Sequence, residues 1–285
     1  MSIDVGLPVA TDRRVSTVSV NGANLAVEER GSGDESIVFA HGVLLNHRIF
    51  DHQLDALKDR YRCIAFDFRG HGDSEVTVDG YAVDELTEDA AALIQQLGSA
   101  PCHFVGHSLG SYVGLRLGVR HPELLRSLIL LSTSADPEGR SDVIRYRLLQ
   151  AIARRFGIRP LVPKLMGVMF GQTFMRDPDR AVEREIWRRS IAAQDLAGGL
   201  LAVDGVLERS GVRGDLAKIM APTLIVVGDQ DATAPLRLGE RIKDAIAGSQ
   251  LVTVPAGHTS PVEQPDAVTA AIEQFLATNR ARAAA

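Results

Sequence analysis

Gly106-His107-Ser108-Leu109-Gly110 sets a serine between glycines, straight after the apolar run His103 to Val105 and straight before a stretch with helical spacing. A serine at so tight a strand-to-helix turn is held in a strained backbone conformation, and the residues two before and two after it must be small. Ser111 extends the run of small residues. Such a turn lifts the hydroxyl above the carboxyl edge of a sheet, where the following helix N-terminus favours developing negative charge. The five-residue pattern recurs by chance, and an ordinary helix N-cap is the other reading of Ser108.

A serine hydroxyl is a poor nucleophile until a base takes its proton. Of eight histidines, His258 suits that task best, in the loop Ala256-Gly257-His258-Thr259-Ser260 between the last strand-like run and the final helical stretch. The base needs a carboxylate to fix its tautomer and stabilise the imidazolium. Leu224-Ile225-Val226-Val227 runs into Gly228-Asp229-Gln230-Asp231, which offers two acids in one turn. Asp231, further past the strand end, is preferred because its side chain can reach across a crevice; Asp229 is the alternative.

Eight runs read as strands: Ser16 to Val20, Leu25 to Glu29, Ser36 to His41, Arg62 to Asp67, Cys102 to Val105, Leu125 to Leu131, Thr223 to Val227 and Gln250 to Val254. The later ones are nearly continuous in Val, Ile and Leu, as in parallel strands covered on both faces. The first two, separated by Asn21-Gly22-Ala23-Asn24, read as an antiparallel edge hairpin. Helical spacing appears over Val83 to Leu97, Leu109 to Arg120, Leu236 to Ala247 and Pro261 to Leu276. The alternation predicts an α/β fold, a mostly parallel eight-stranded sheet with helices on both faces. It lapses after Leu131 and resumes near Thr223. Residues 135–215 therefore read as an inserted helical cap between two core portions, 1–134 and 216–285.

The insertion has its own charge: from residue 140 to residue 189 there are twelve basic and five acidic side chains, in a chain whose net charge is -5. Its Met166, Met169, Phe170, Phe174, Met175 and Trp187 could line a substrate pocket or form the insertion's own core. The acidic balance, with a pI near 5.9, argues against nucleic acid as a partner. Cys63 and Cys102 sit in or beside apolar runs and read as small buried hydrophobes in a reducing compartment, and two cysteines make no structural zinc site. Met1 to Arg14 has no apolar segment of signal-peptide type, and no apolar run reaches membrane-spanning length, so a cytoplasmic protein without integral membrane association is expected. The alanine-rich end, Ala281 to Ala285, reads as frayed.

In the order Ser108, Asp231, His258 the chain resembles the α/β-hydrolase family, and the resemblance extends over nearly its whole length. Val38-Phe39-Ala40-His41-Gly42 resembles that family's strand ending in His-Gly before the oxyanion loop. Asp67-Phe68-Arg69-Gly70-His71-Gly72-Asp73-Ser74 resembles its D-x-R-G-x-G-x-S turn, Gly228 to Asp231 its acid loop, and Gly257-His258 with Glu263-Gln264-Pro265 its histidine loop. The resemblance implies an oxyanion hole made by the backbone N–H groups of Leu109 and Val43. It also implies that the serine-nucleophile branch, with its esterases, enol-lactonases, carbon–carbon bond hydrolases and peracid-forming members, is the relevant one. Branches with an aspartate nucleophile are disfavoured. His41 and His71, in glycine turns, read as architectural, and His107 as a local packing or bonding group. His47, His52, His103 and His121 read as surface or satisfied core histidines.

These readings converge on a cofactor-free, metal-free serine hydrolase that cleaves a carboxylic ester, lactone or related small-molecule acyl compound through an acyl-Ser108 intermediate. The basic insertion leans toward a carboxylate-bearing substrate, which would suit an enol-lactonase or a carbon–carbon bond hydrolase. A ligand-binding sensor with little turnover is the rival from another class, and a cofactor-free lyase or oxygenase a third. The oligomeric state is not written in the sequence.

Overall fold

All eight strand-like runs pair into one sheet in the computed structural model, which describes residues 14–284. The strands are β1 (Arg14–Val20), β2 (Ala23–Arg30), β3 (Ser36–Ala40), β4 (Arg62–Phe66), β5 (Cys102–His107), β6 (Leu125–Leu131), β7 (Thr223–Gly228) and β8 (Gln250–Val254), in the order β1-β2-β4-β3-β5-β6-β7-β8. β1 and β2 form an antiparallel edge hairpin, turning through Asn21 and Gly22 at φ 45° and 77°, as a two-residue type I′ turn requires. β2 pairs antiparallel with β4, and from β4 to β8 every pairing is parallel.

The helices are α1 (Asp51–Leu57), α2 (Val83–Gln96), α3 (Leu109–Arg120), α4 (Arg140–Phe156), α5 (Val162–Met169), α6 (Gln172–Arg176), α7 (Ala181–Ala192), α8 (Leu196–Glu208), α9 (Leu236–Ala245), α10 (Ser260–Glu263) and α11 (Pro265–Ala284). Alternate side chains of the central strands face opposite ways. Phe104, Leu128 and Ile225 pack with Leu86 and Leu93 of α2, Val113 of α3 and Ile242 of α9. Val105, Ile129 and Val226 pack on the other face with Leu54 of α1 and Ile272 and Phe275 of α11. The continuous apolar strands thus have helices on both faces, as parallel strands need. Between β6 and β7 the chain makes only helices, α4 to α8, above the sheet's carboxyl edge.

One local expectation is corrected. The terminal helix is not continuous from Pro261: Pro265 has no N–H to give the Pro261 carbonyl, so α10 ends and α11 begins there. Gln53 on α1 caps the break, its Nε2 donating to the Pro261 and Pro265 carbonyls at 3.3 and 3.2 Å. Helix α11 runs through Ala284, and Ala285 lies outside the described residues. The leader reading of Met1 to Arg14 falls, except for Arg14, outside the described residues. Among those described, no single helix is long and apolar enough to cross a membrane.

Candidate active site

β5 ends at His107 and α3 starts at Leu109, so Ser108 alone makes the turn, with φ 49° and ψ −108°. Its side chain makes no capping hydrogen bond, which removes the N-cap reading. The strain is held by neighbouring backbone: Ser108 N–H donates to Leu131 O at 2.9 Å, and Gly110 N–H to His41 O at 3.0 Å. A Cβ on Gly106 would stand 2.3 Å from Gly110 O, and one on Gly110 would stand 2.0 Å from Ala40 O. Ser111 Oγ ties the turn to its neighbours, donating to Gly106 O at 2.6 Å and accepting from Leu131 N–H at 3.1 Å.

The turns after β7 and β8 bring the other two groups to the same edge. His258 Nδ1 lies 2.8 Å from Asp231 Oδ2. Asp231 Oδ1 accepts from the N–H groups of Thr233 and Ala234, both at 2.8 Å. Burial alone would raise the Asp231 carboxyl, but the His258 charge, its hydrogen bond and these two N–H groups outweigh burial and hold it down to about 2. Burial alone would lower the His258 imidazole; Asp231 overcomes that and holds it above its ordinary value. Asp229, two residues earlier, is exposed, and its N–H is spent on Val254 O.

Ser108 and His258 line one cavity, together with Val43 from the loop after β3. The backbone N–H groups of Val43 and Leu109 donate to no acceptor among the described residues. Leu109 is the first residue of α3, where an N–H has no intrahelical partner. The cavity's roof comes from α4, α5 and α8, including Leu149, Ala153, Leu165, Val168, Leu200 and Val203. Of the aromatic and methionine residues singled out in the insertion, only Met169 reaches it. Met166, Phe170, Phe174 and Trp187 are buried in the core instead, with the Phe170 and Phe174 rings stacked at 4.9 Å.

The remaining histidines are architectural. His41 Nδ1–H donates to Gly42 O at 2.7 Å and its Nε2 accepts from Phe68 N–H; burial pushes it down to about 3, so the ring is neutral. His71 Nδ1–H donates to Arg69 O at 3.1 Å. His103 bonds Ser127 Oγ at 2.8 Å, and the exposed-side His52 and His121 pair with Asp266 and Glu88. His107, driven down to about 3 by burial first and His258 second, donates Nε2–H to the His258 carbonyl at 2.8 Å. Sequence reasoning missed that this ring props the histidine loop. It also missed the work of Glu263, whose buried carboxylate accepts from the N–H groups of Gly171, Gly257 and Thr259 at 2.8, 2.9 and 3.2 Å. The Glu263-Gln264-Pro265 motif carried the only sign of it. Cys63 and Cys102 are free and buried, both thiols pushed up to about 12 by burial. Among the described residues no cluster of three or more His, Cys, Asp or Glu side chains is arranged to hold a metal ion.

A sheet of this order, with a serine on a strained turn and a histidine–carboxylate pair at its carboxyl edge, defines the alpha/beta hydrolase class, and the chain belongs to that family: the model of the alpha/beta hydrolase family matches residues 37–271. It is a hydrolase of the alpha/beta type. It is similar to 3-oxoadipate enol-lactonase 2 of Acinetobacter baylyi, 28% identical over 241 residues that cover 85% of this chain and 88% of that one. Among solved structures it is similar to the enol-lactonase from Burkholderia xenovorans, with a TM-score of 0.86 and 26% identity over 92% of this chain and 100% of that one. A thermophilic esterase from Thermogutta terrifontis superposes with a TM-score of 0.84 and 29% identity, over 94% and 98% of the two chains.

Proposed function

We propose that the protein is a cofactor-free serine hydrolase that cleaves a carboxylic ester, lactone or related small acyl compound through an acyl-Ser108 intermediate. The observation that carries the reading is the His258–Asp231 pair at 2.8 Å beside a serine whose backbone is held at φ 49°, with Ser108 and His258 lining one cavity. In this reading His258 Nε2 takes the Ser108 proton as Oγ attacks the acyl carbon, while Asp231 holds Nδ1–H and stabilises the imidazolium. The free N–H groups of Val43 and Leu109 receive the oxyanion, each worth about 3 kcal/mol in the transition state. His258 then gives its proton to the leaving oxygen, and a water activated by the same ring hydrolyses the acyl-enzyme. Helices α4 to α8, within residues 135–215, act as the cap that chooses the substrate. Relatives named as enol-lactonases and an esterase support acyl C–O cleavage.

The test is hydrolysis of p-nitrophenyl esters from acetate to long acyl chains by the wild type and by Ser108→Ala. Loss of about 10⁴-fold or more in kcat is expected. Equal rates in the two proteins would overturn the nucleophile assignment, and absence of turnover together with a tightly held ligand would favour a sensor.

A further inference from the structure

The cavity over Ser108 has a charge opposite to the surface of the helices that roof it. None of the twelve basic residues between 140 and 189 lines it. They are engaged elsewhere or face outward: Arg147 and Arg154 pair with Asp204, Arg188 and Arg189 with Glu185, and Arg180 with Glu183. The Asp, Glu, Lys and Arg side chains that do line the cavity are two, both acidic, Glu138 and Asp195. Asp195 is committed to the N-terminus of α8, where it accepts from Gly198 N–H at 2.9 Å.

Glu138 is the informative one. Its Oε1 accepts from Arg209 Nη1 at 2.9 Å, and the Arg209 guanidinium lies 4.0 Å above the ring of Tyr112, itself a cavity residue. Arg209 is buried, and it also donates to the carbonyls of Val206 and Asp136 at 2.7 and 3.1 Å. This buried guanidinium is therefore already paired, and of the two partners it is the carboxylate that lines the cavity. A carboxylate-bearing substrate would shed its hydration against apolar side chains and meet a like charge. An alkyl chain would gain by burial along the same side chains.

We propose that this site selects neutral acyl compounds with an extended apolar chain and rejects carboxylate-bearing ones, with Glu138 setting the sign of the selection. This reverses the expectation drawn from the basic insertion. It rests on the serine-hydrolase reading for turnover, but not for binding.

Binding is therefore measured first, by calorimetry on the Ser108→Ala protein, with methyl octanoate and monomethyl suberate, equal in chain length and differing by a terminal carboxylate. The neutral ester should bind at least about tenfold more tightly. Adding Glu138→Gln should narrow that gap by releasing Arg209 toward the cavity, and adding Arg209→Met instead should widen it. Equal or tighter binding of the suberate monoester, no binding of either ester, or a gap unmoved in both folded variants would overturn the proposal. Turnover of the two esters by the wild type separates the two readings. Selective binding with neither ester cleaved would sink the hydrolase reading and leave this one standing. Preferred binding and cleavage of the suberate monoester would do the reverse.

Discussion

His258 lies between a carboxylate that favours its protonated form and a histidine that holds its backbone, and the two neighbours act in different ways. Asp231 raises the imidazole above its ordinary 6.5 against the effect of burial. His107, kept neutral, only positions the loop through its bond to the His258 carbonyl. A general base must be unprotonated to act, so a raised value moves the acid limb of kcat/KM to higher pH. The midpoint of that limb should lie above 6.5 and shift downward in Asp231→Asn, with kcat falling by about 10⁴-fold as the tautomer is lost. A pH–rate profile of both proteins on one ester checks this, and a limb that stays in place would remove Asp231 from the role.

At the scale of elements, the histidine loop is held by α10 as much as by β8. Glu263 on α10 gathers three N–H groups, one from the start of α6's loop at Gly171 and two from the histidine loop itself. Thr259 adds two more ties to that region, its N–H at 2.9 Å and its hydroxyl at 2.8 Å from Met169 O. The turn between α5 and α6 and the histidine loop are thereby joined through one buried carboxylate. Glu263→Ala should cost about 1–3 kcal/mol for each buried N–H left without an acceptor. Urea unfolding would read the loss, and an unchanged midpoint would show the three bonds to be dispensable.

Across the whole molecule, a buried ion network joins strand β2 and the turn after β4 to the segment that follows β3. His47 Nε2 lies 3.1 Å from Glu28 Oε2 on β2, and its Nδ1 lies 2.9 Å from Asp67 Oδ1 after β4. Burial alone would lower His47, but Asp67 and Glu28 overcome it and raise the imidazole to about 10. A group raised on folding stabilises fully below its unfolded value, and the contribution fades as pH climbs through the folded one. Unfolding free energy should therefore decline between about pH 6.5 and 10, and His47→Gln should flatten that decline. The substitution should also cost about 3–5 kcal/mol at neutral pH, since the Asp67 charge loses its buried counter-ion. Denaturant titrations over that pH range test both statements; a parallel decline in the variant would point to other groups.

Local pattern was enough for much of this. Eight strands, the edge hairpin and the turn at Ser108 follow from residue type and spacing, because apolar continuity, Asn-Gly turns and small residues around a tight bend are short-range constraints. Asp231 over Asp229 could be preferred from the loop but is distinguished by geometry, since two acids two residues apart differ only in what surrounds them. The partners of Glu263, His47 and Arg209 lie 92, 20 and 71 residues away or are set by loops that pattern does not describe. The same limit governed the cavity. Composition along the insertion counted its arginines, but which side of a helix faces inward, and which charge is already paired, is decided only when distant segments pack.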